Sequence, residues 1–284
     1  MRGPGVQPML DVLHRDCAPM HLRLPALALI VMSLLVTACQ PRATPPASGE
    51  IVSRTLQHEG RTQRYAVFVA AVARAGQPLP VVLFLHGSGE RGDDGHAQTT
   101  AGLGPWLRRN AGTFPALVVM PQVPEGEEWT GEHARMALAA LDAASTEFGA
   151  DPSRTYLTGM SMGGYGTWEV ALMAPGRFAA LVPVCAGVLA PRAARPGLHV
   201  TPVAGAPDPH AELVARLGHV PVWMFHGAKD TVVLPDDTRR VYRAAQAAGA
   251  GFRYTDYADG GHNAWDAAYA DAAMWEWLFA QRLP

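Results

Sequence analysis

Lysine is nearly missing from this chain. Of 23 basic residues only Lys229 is a lysine, and the others are arginines. Against 25 acidic residues they leave a formal net charge of −2, so the sequence offers no basic field to hold a nucleic-acid backbone. Cysteine is scarce as well, with three in 284 residues, at positions 17, 39 and 185. The first two fall in an N-terminal region of distinct composition. That leaves Cys185 unpaired in an apolar run (LVPVCAG), where it reads as a small core residue, and no disulfide is predicted. No H-E-x-x-H pair, paired-cysteine zinc spacing or G-x-x-x-x-G-K-[ST] loop occurs, so the sequence predicts no metal and no cofactor. No internal repeat or second domain is visible.

No apolar run is long enough to cross a bilayer as a stable helix, which takes ~20 residues. The longest, Ala26 to Val36 (ALALIVMSLLV), has the length of a signal-peptide core. Arg23 precedes it, and Val36-Thr37-Ala38-Cys39 follows. This arrangement resembles a bacterial lipoprotein signal. The resemblance implies cleavage before Cys39 and a diacylglyceryl group on its thiol; an ordinary secretory signal cut near Ala38, or a short anchor, is the plainer reading. Two or more acyl chains hold a protein stably on a membrane. A signal beginning at Met20 would have ordinary length, so Met20 is the expected start. The expected organisation is a signal region over 1–38, a Pro-rich tether over 39–49 and one folded domain over 50–284. Extended, the tether reaches roughly 30 Å at ~3 Å per residue. The expected location is outside the cytoplasm, lipid-anchored to a membrane.

From Glu50 onward, strands and helices alternate. Ile51–Leu56 and Arg64–Ala70 read as a hairpin around His58-Glu59-Gly60. Val81–Leu85, Ala116–Met120, Thr155–Thr158, Ala179–Val184, Val220–Phe225 and Phe252–Tyr257 read as further strands, several of them continuously apolar and therefore buried on both faces. Helices are expected over Glu132–Phe148, Met162–Ala174, Pro235–Ala248 and Ala267–Arg282, with a short one at Ala211–Leu217 in the otherwise unassigned segment 187–218. The pattern predicts one α/β domain with a mainly parallel, doubly wound sheet.

Within it, YLTGMSMGGYG places Ser161 between Gly159 and Gly163, after a strand and before a helix. G-x-S-x-G arises easily in a chain with 29 glycines, so the strand-turn-helix context decides. A serine at such an apex needs glycine at ±2 because side chains there would crowd the crossing. Its hydroxyl is a weak nucleophile without a base. The expected chain order is Ser, acid, His. Asp230 lies just past the strand in WMFHGAKD, and His262 follows the last strand in DGGHN. Asp236 and Asp237 are nearby alternatives but read as the first turn of a helix, where carboxylates are favoured.

Acyl transfer also requires two donors for an oxyanion. The backbone N–H of Met162 is the first candidate. The second is Ser88, with Gly89 in reserve, from the loop HGSGERGDDG. Glu90 and Arg91 in that loop form a charged pair expected to order it through an ion pair, the alternative being contact with a substrate carboxylate or sugar. Gln122, Trp129 and Trp265 lie near the same strand ends and are candidate pocket walls.

The segments LFLHGSGERGDDG, YLTGMSMGGYGTW, MFHGAKDTVV and YADGGHNAWD together resemble the α/β-hydrolase group of dienelactone-hydrolase-like, feruloyl-esterase-like and phospholipase/carboxylesterase-like proteins, over roughly residues 65–282. True dienelactone hydrolases use cysteine, so Ser161 places the likeness on the esterase branch. The resemblance implies Ser161 as nucleophile, His262 as base, Asp230 as its acid, and a small-molecule or polysaccharide-linked ester as substrate. Two other readings stand beside it: a serine peptidase of prolyl-oligopeptidase type, and a lipoprotein that keeps the fold only to bind.

Overall fold

The computed structural model describes residues 49–71, 77–191 and 195–284. The expectations for the signal region, Cys39 and nearly all of the tether lie outside these residues. The chain opens with β1 (Glu50–His58) and β2 (Arg61–Val69), paired antiparallel from Glu50↔Val69 to His58↔Arg61. The turn is Glu59-Gly60, both at positive φ (47° and 78°), the two-residue geometry whose twist matches a hairpin.

Six more strands follow: β3 (Leu79–Leu85), β4 (Leu117–Pro121), β5 (Ala150–Met160), β6 (Ala180–Val184), β7 (Trp223–Gly227) and β8 (Arg253–Tyr257). Among the described residues they form one sheet in the order β1-β2-β4-β3-β5-β6-β7-β8. The first two pairings are antiparallel, and every pairing from β4 onward is parallel. The helices are α1 (Leu103–Arg109), α2 (Gly131–Phe148), α3 (Met162–Met173), α4 (Pro209–Leu217), α5 (Pro235–Ala247), α6 (Trp265–Ala270) and α7 (Ala272–Ala280). None of them is long and apolar enough to cross a membrane.

Period-2 alternation explains the apolar strands. Val81, Leu83 and Leu85 of β3 face one core with α2, α3, α4 and α5, through residues such as Ala137, Trp168, Leu213 and Val241. Val82 and Phe84 face a second core with α1, α6 and α7, through Leu103, Tyr269 and Trp275. Both faces of the sheet are covered, so no polar alternation is required. β8 differs. It is an outer strand, paired only with β7, and none of its five residues is fully buried.

Two elements depart from the sequence reading. The C-terminal helix is two helices, broken at Asp271, whose extended backbone (ψ 107°) ends α6 and whose carboxylate caps α7 by accepting from Ala273 N–H. Helix α1 was not expected, because Gly102, Gly104 and Pro105 mask its pattern.

Candidate active site

β5 ends at Met160 and α3 begins at Met162, leaving Ser161 alone to turn the chain. Its backbone sits at φ 53°, ψ −118°. A non-glycine residue in such a region costs about 1–3 kcal/mol, so the surroundings must enforce it. They do so through closeness. A Cβ on Gly159 would lie 2.1 Å from Gly163 O, and one on Gly163 would lie 1.9 Å from Leu85 O. These obstacles are backbone and cannot swing away. Ser161 N–H donates to Val184 O at 2.9 Å, fixing the turn to β6.

Asp230 and His262 arrive from β7 and β8, and their loops rest on each other. Lys229 N–H donates to Gly260 O at 2.8 Å, and a Cβ on Gly227 would meet Gly261 O at 2.1 Å. The side chains then line up. Ser161 Oγ is 2.9 Å from His262 Nε2, and His262 Nδ1 is 2.7 Å from Asp230 Oδ2. Burial pushes the Asp230 carboxyl up, but donors from His226, His262 and Val232 N–H, together with the charge of His262, outweigh it. The net position is well below the usual carboxylate range.

Cys185 is buried behind the histidine. Its Sγ donates to His262 O at 3.0 Å, and burial pushes the thiol up to about 12, which keeps it protonated and unreactive. Trp265 is half-buried and stands edge-on to His262, with ring centroids 5.3 Å apart.

The loop after β3 runs beside the serine. Gly87 is extended, and a Cβ on it would lie 3.6 Å from Ser161 Cβ. Ser88–Glu90 then forms a single 3-10 turn. Among the described residues neither Ser88 N–H nor Met162 N–H has a protein acceptor. The spacing Gly87-x-Gly89-x-x-Gly92 matches a dinucleotide fingerprint on paper. That fingerprint needs a helix opening at the last glycine, whereas Gly92 here donates to Val123 O and the next α-helix starts at Leu103.

Three expectations are corrected here, and a fourth, Asp237 in the first turn of α5, is extended. Glu90 and Arg91 do not pair, since neighbouring residues on a tight turn point apart. Arg91 reaches Glu128 at 2.8 Å, and burial pushes the Glu90 carboxyl up. Gln122 is buried and staples the loop, accepting from Gly95 N–H (2.7 Å) and donating to Asp94 Oδ1 (3.0 Å), so it walls no pocket at the triad. Trp129 is buried too; its indole N–H donates to His86 O at 3.0 Å, and its Cβ fills the space beside Gly166. Asp237 is more than a helix-start carboxylate, because it accepts from Val188 and Leu189 N–H and contacts His210 Nε2, pinning the segment after β6 to α5.

Sequence reasoning missed Arg195, which donates to Ser88 Oγ at 2.7 Å and to Glu128 at 2.6 Å across a long span of chain that leaves no local trace. It also passed over His226, which lies in β7 four residues before Asp230 and meets it where the chain turns out of the strand. A hollow of about 230 Å³ lies between Tyr165, one turn past Ser161, and the segments carrying Leu189, Pro191, Val233 and Leu234.

The fold and this site define a protein of the α/β-hydrolase class. Residues 62–284 match the family model described as "Putative esterase", and the chain belongs to that esterase family. No curated protein matches it. Among solved structures it is similar to a thermostable esterase (26% identity, TM-score 0.68), covering 83% of this chain and 64% of that one, so it spans somewhat less than two thirds of that relative. It is similar in fold to a ferulic acid esterase (16% identity, TM-score 0.61, covering 81% of this chain and 96% of that one). The same fold appears in an acylaminoacyl peptidase from Pyrococcus horikoshii (17% identity, TM-score 0.59, covering 75% and 38%).

Proposed function

We propose that the protein is a serine hydrolase of carboxylic esters, acting on short-chain or hydroxycinnamoyl esters through an acyl-enzyme. One observation carries this reading: an unbroken Ser161–His262–Asp230 chain at hydrogen-bond distance, starting from a serine on a strained turn. In this mechanism Ser161 Oγ attacks the ester carbonyl while its proton passes to His262 Nε2. Asp230 fixes the imidazole and stabilises the imidazolium. The N–H groups of Met162 and Ser88 receive the oxyanion. His262 then protonates the leaving alcohol, and water repeats the sequence on the acyl-enzyme. The hollow, walled by Tyr165, Leu189, Pro191, Val233 and Leu234 with Asp236, Asp237 and Arg240 at its polar side, has a volume that suits an acyl group of short-chain or single-ring size, with Trp265 beside the base.

The test is hydrolysis of p-nitrophenyl acetate and methyl ferulate by the full chain, with Ser161→Ala as the blank. Turnover by the wild type alone is the expected result, and the ratio of the two substrates reads the aromatic preference. If neither ester is cleaved while a peptidyl anilide is, the ester reading fails.

We also propose that the chain is exported and acylated at Cys39. This reading rests on the apolar run and the Val36-Thr37-Ala38-Cys39 junction.

A further inference from the structure

A second histidine shares the aspartate. His226 lies in β7, four residues before Asp230, and is fully buried. Its Nε2 is 3.1 Å from Asp230 Oδ2 and 2.9 Å from Val233 O. A carboxylate and a carbonyl can only accept, so this nitrogen carries a hydrogen. Asp230 Oδ2 is the same oxygen that accepts from His262 Nδ1 at 2.7 Å. The other oxygen, Oδ1, accepts from Val232 and Val233 N–H at 2.8 and 3.1 Å. On its far side, the Thr238 hydroxyl of α5 lies 2.8 Å from His226 Nδ1 and 2.6 Å from Ala186 O, with its one hydrogen shared between them. One imidazole therefore joins β7, the Asp230 loop, α5 and the chain just past Cys185.

A carboxylate held only through Oδ1 could still swing its second oxygen. Both oxygens are held here: the His226 Nε2–H is shared between Val233 O at 2.9 Å and Oδ2 at 3.1 Å, the oxygen that also faces His262. We propose that His226 is a positioning residue of the hydrolytic machinery: its Nε2–H, donated to Asp230 Oδ2, locks the carboxylate orientation in which that oxygen meets His262 Nδ1. The proposal rests on the serine-hydrolase reading above. It extends the chain of contacts from Ser161 by one residue and assigns work to a histidine that touches no substrate. Burial alone pushes the Asp230 carboxyl up, and the bond from His226 is foremost among the contacts that hold it low.

The test uses two variants of the full chain. His226→Asn keeps a polar group near Thr238 but withdraws the donor from Asp230. His226→Gln returns an amide N–H to the position of Nε2. Kinetics on p-nitrophenyl acetate are normalised to sites titrated with a fluorophosphonate. The downfield proton resonance of His262 Nδ1–H, assigned by its loss in Asp230→Asn, is recorded alongside. The Asn variant should lose ~10–100-fold in kcat with KM nearly unchanged, as expected for a misplaced catalytic group, and the resonance should move. The Gln variant should recover most of kcat.

Wild-type kcat per titrated site in His226→Asn, with an unmoved resonance, overturns the proposal. Equal losses in both variants also overturn it, since they would report packing alone. If His226→Asn does not fold, Thr238→Val removes only the hydroxyl supporting Nδ1; a fall in kcat at constant KM supports the proposal and an unchanged kcat overturns it. A wild type inert to the ester sinks the serine-hydrolase reading itself, and the positioning role with it. An active wild type matched by its Asn variant sinks the positioning role alone.

Discussion

Arg195 Nη1 lies 2.7 Å from Ser88 Oγ, tying the segment after β6 to the loop that carries the proposed second oxyanion donor. The same guanidinium reaches Glu128, which also holds Arg91, so two arginines and a glutamate brace one short turn. Arg195→Ala should loosen the Ser88 N–H without removing it. A fall of ~10-fold in kcat is expected, below the ~10²–10³ that follows loss of an oxyanion donor. Steady-state kinetics decide, and a variant with unchanged kcat would remove Arg195 from the argument.

Ser161 holds a backbone conformation that glycine adopts freely. Ser161→Gly should abolish turnover and yet melt at a higher temperature than Ser161→Ala, by an amount corresponding to ~1 kcal/mol. Thermal denaturation of the two inactive variants compares them directly. Equal melting temperatures would mean that the turn stores no strain.

His86, at the end of β3, is fully buried, and burial lowers it to about 4 despite its bond to Gly87 O. Its Nε2 accepts from Val123 N–H at 3.1 Å, so the neutral ring is the form that fits. The unfolded chain has its histidines near 6.5. Between that value and about 4 the unfolded state binds the extra proton, so stability is fully present above ~6.5 and is lost as pH falls towards about 4. The loss amounts to about 3 kcal/mol. Urea denaturation of wild type and His86→Gln across this window should show a flatter pH dependence in the variant; parallel curves would assign the slope elsewhere.

Acylation at Cys39 predicts that the full chain partitions into a detergent phase and that Cys39→Ala moves to the aqueous phase. Two acyl chains suffice for stable anchoring. Aqueous partition of the unaltered mature chain would remove the lipid anchor from the proposal.

The strand-helix order and the serine turn were legible because both are local. Continuous apolar runs mark strands covered on two faces, and Gly159 and Gly163 stand where backbone meets backbone. Asp230 and His262 were legible from their places after strands. What escaped depends on contacts distant in sequence. Nothing local tells that Gln122 turns to the 92–95 loop, that Trp129 is packed against His86, or that Arg91 prefers Glu128 to its neighbour Glu90. The break at Asp271 was readable in principle, since an aspartate ahead of an apolar helix is a capping signal.

His262 follows β8, the outer strand with a single partner and no fully buried residue. The serine follows β5, deep inside the sheet. The proposed base and nucleophile therefore depend on parts of the protein with different local stabilities, and outer elements open before inner ones. Opening at β8 on warming is therefore expected to cost ester hydrolysis before the two cores melt, and following activity and near-UV circular dichroism over one temperature ramp checks the order.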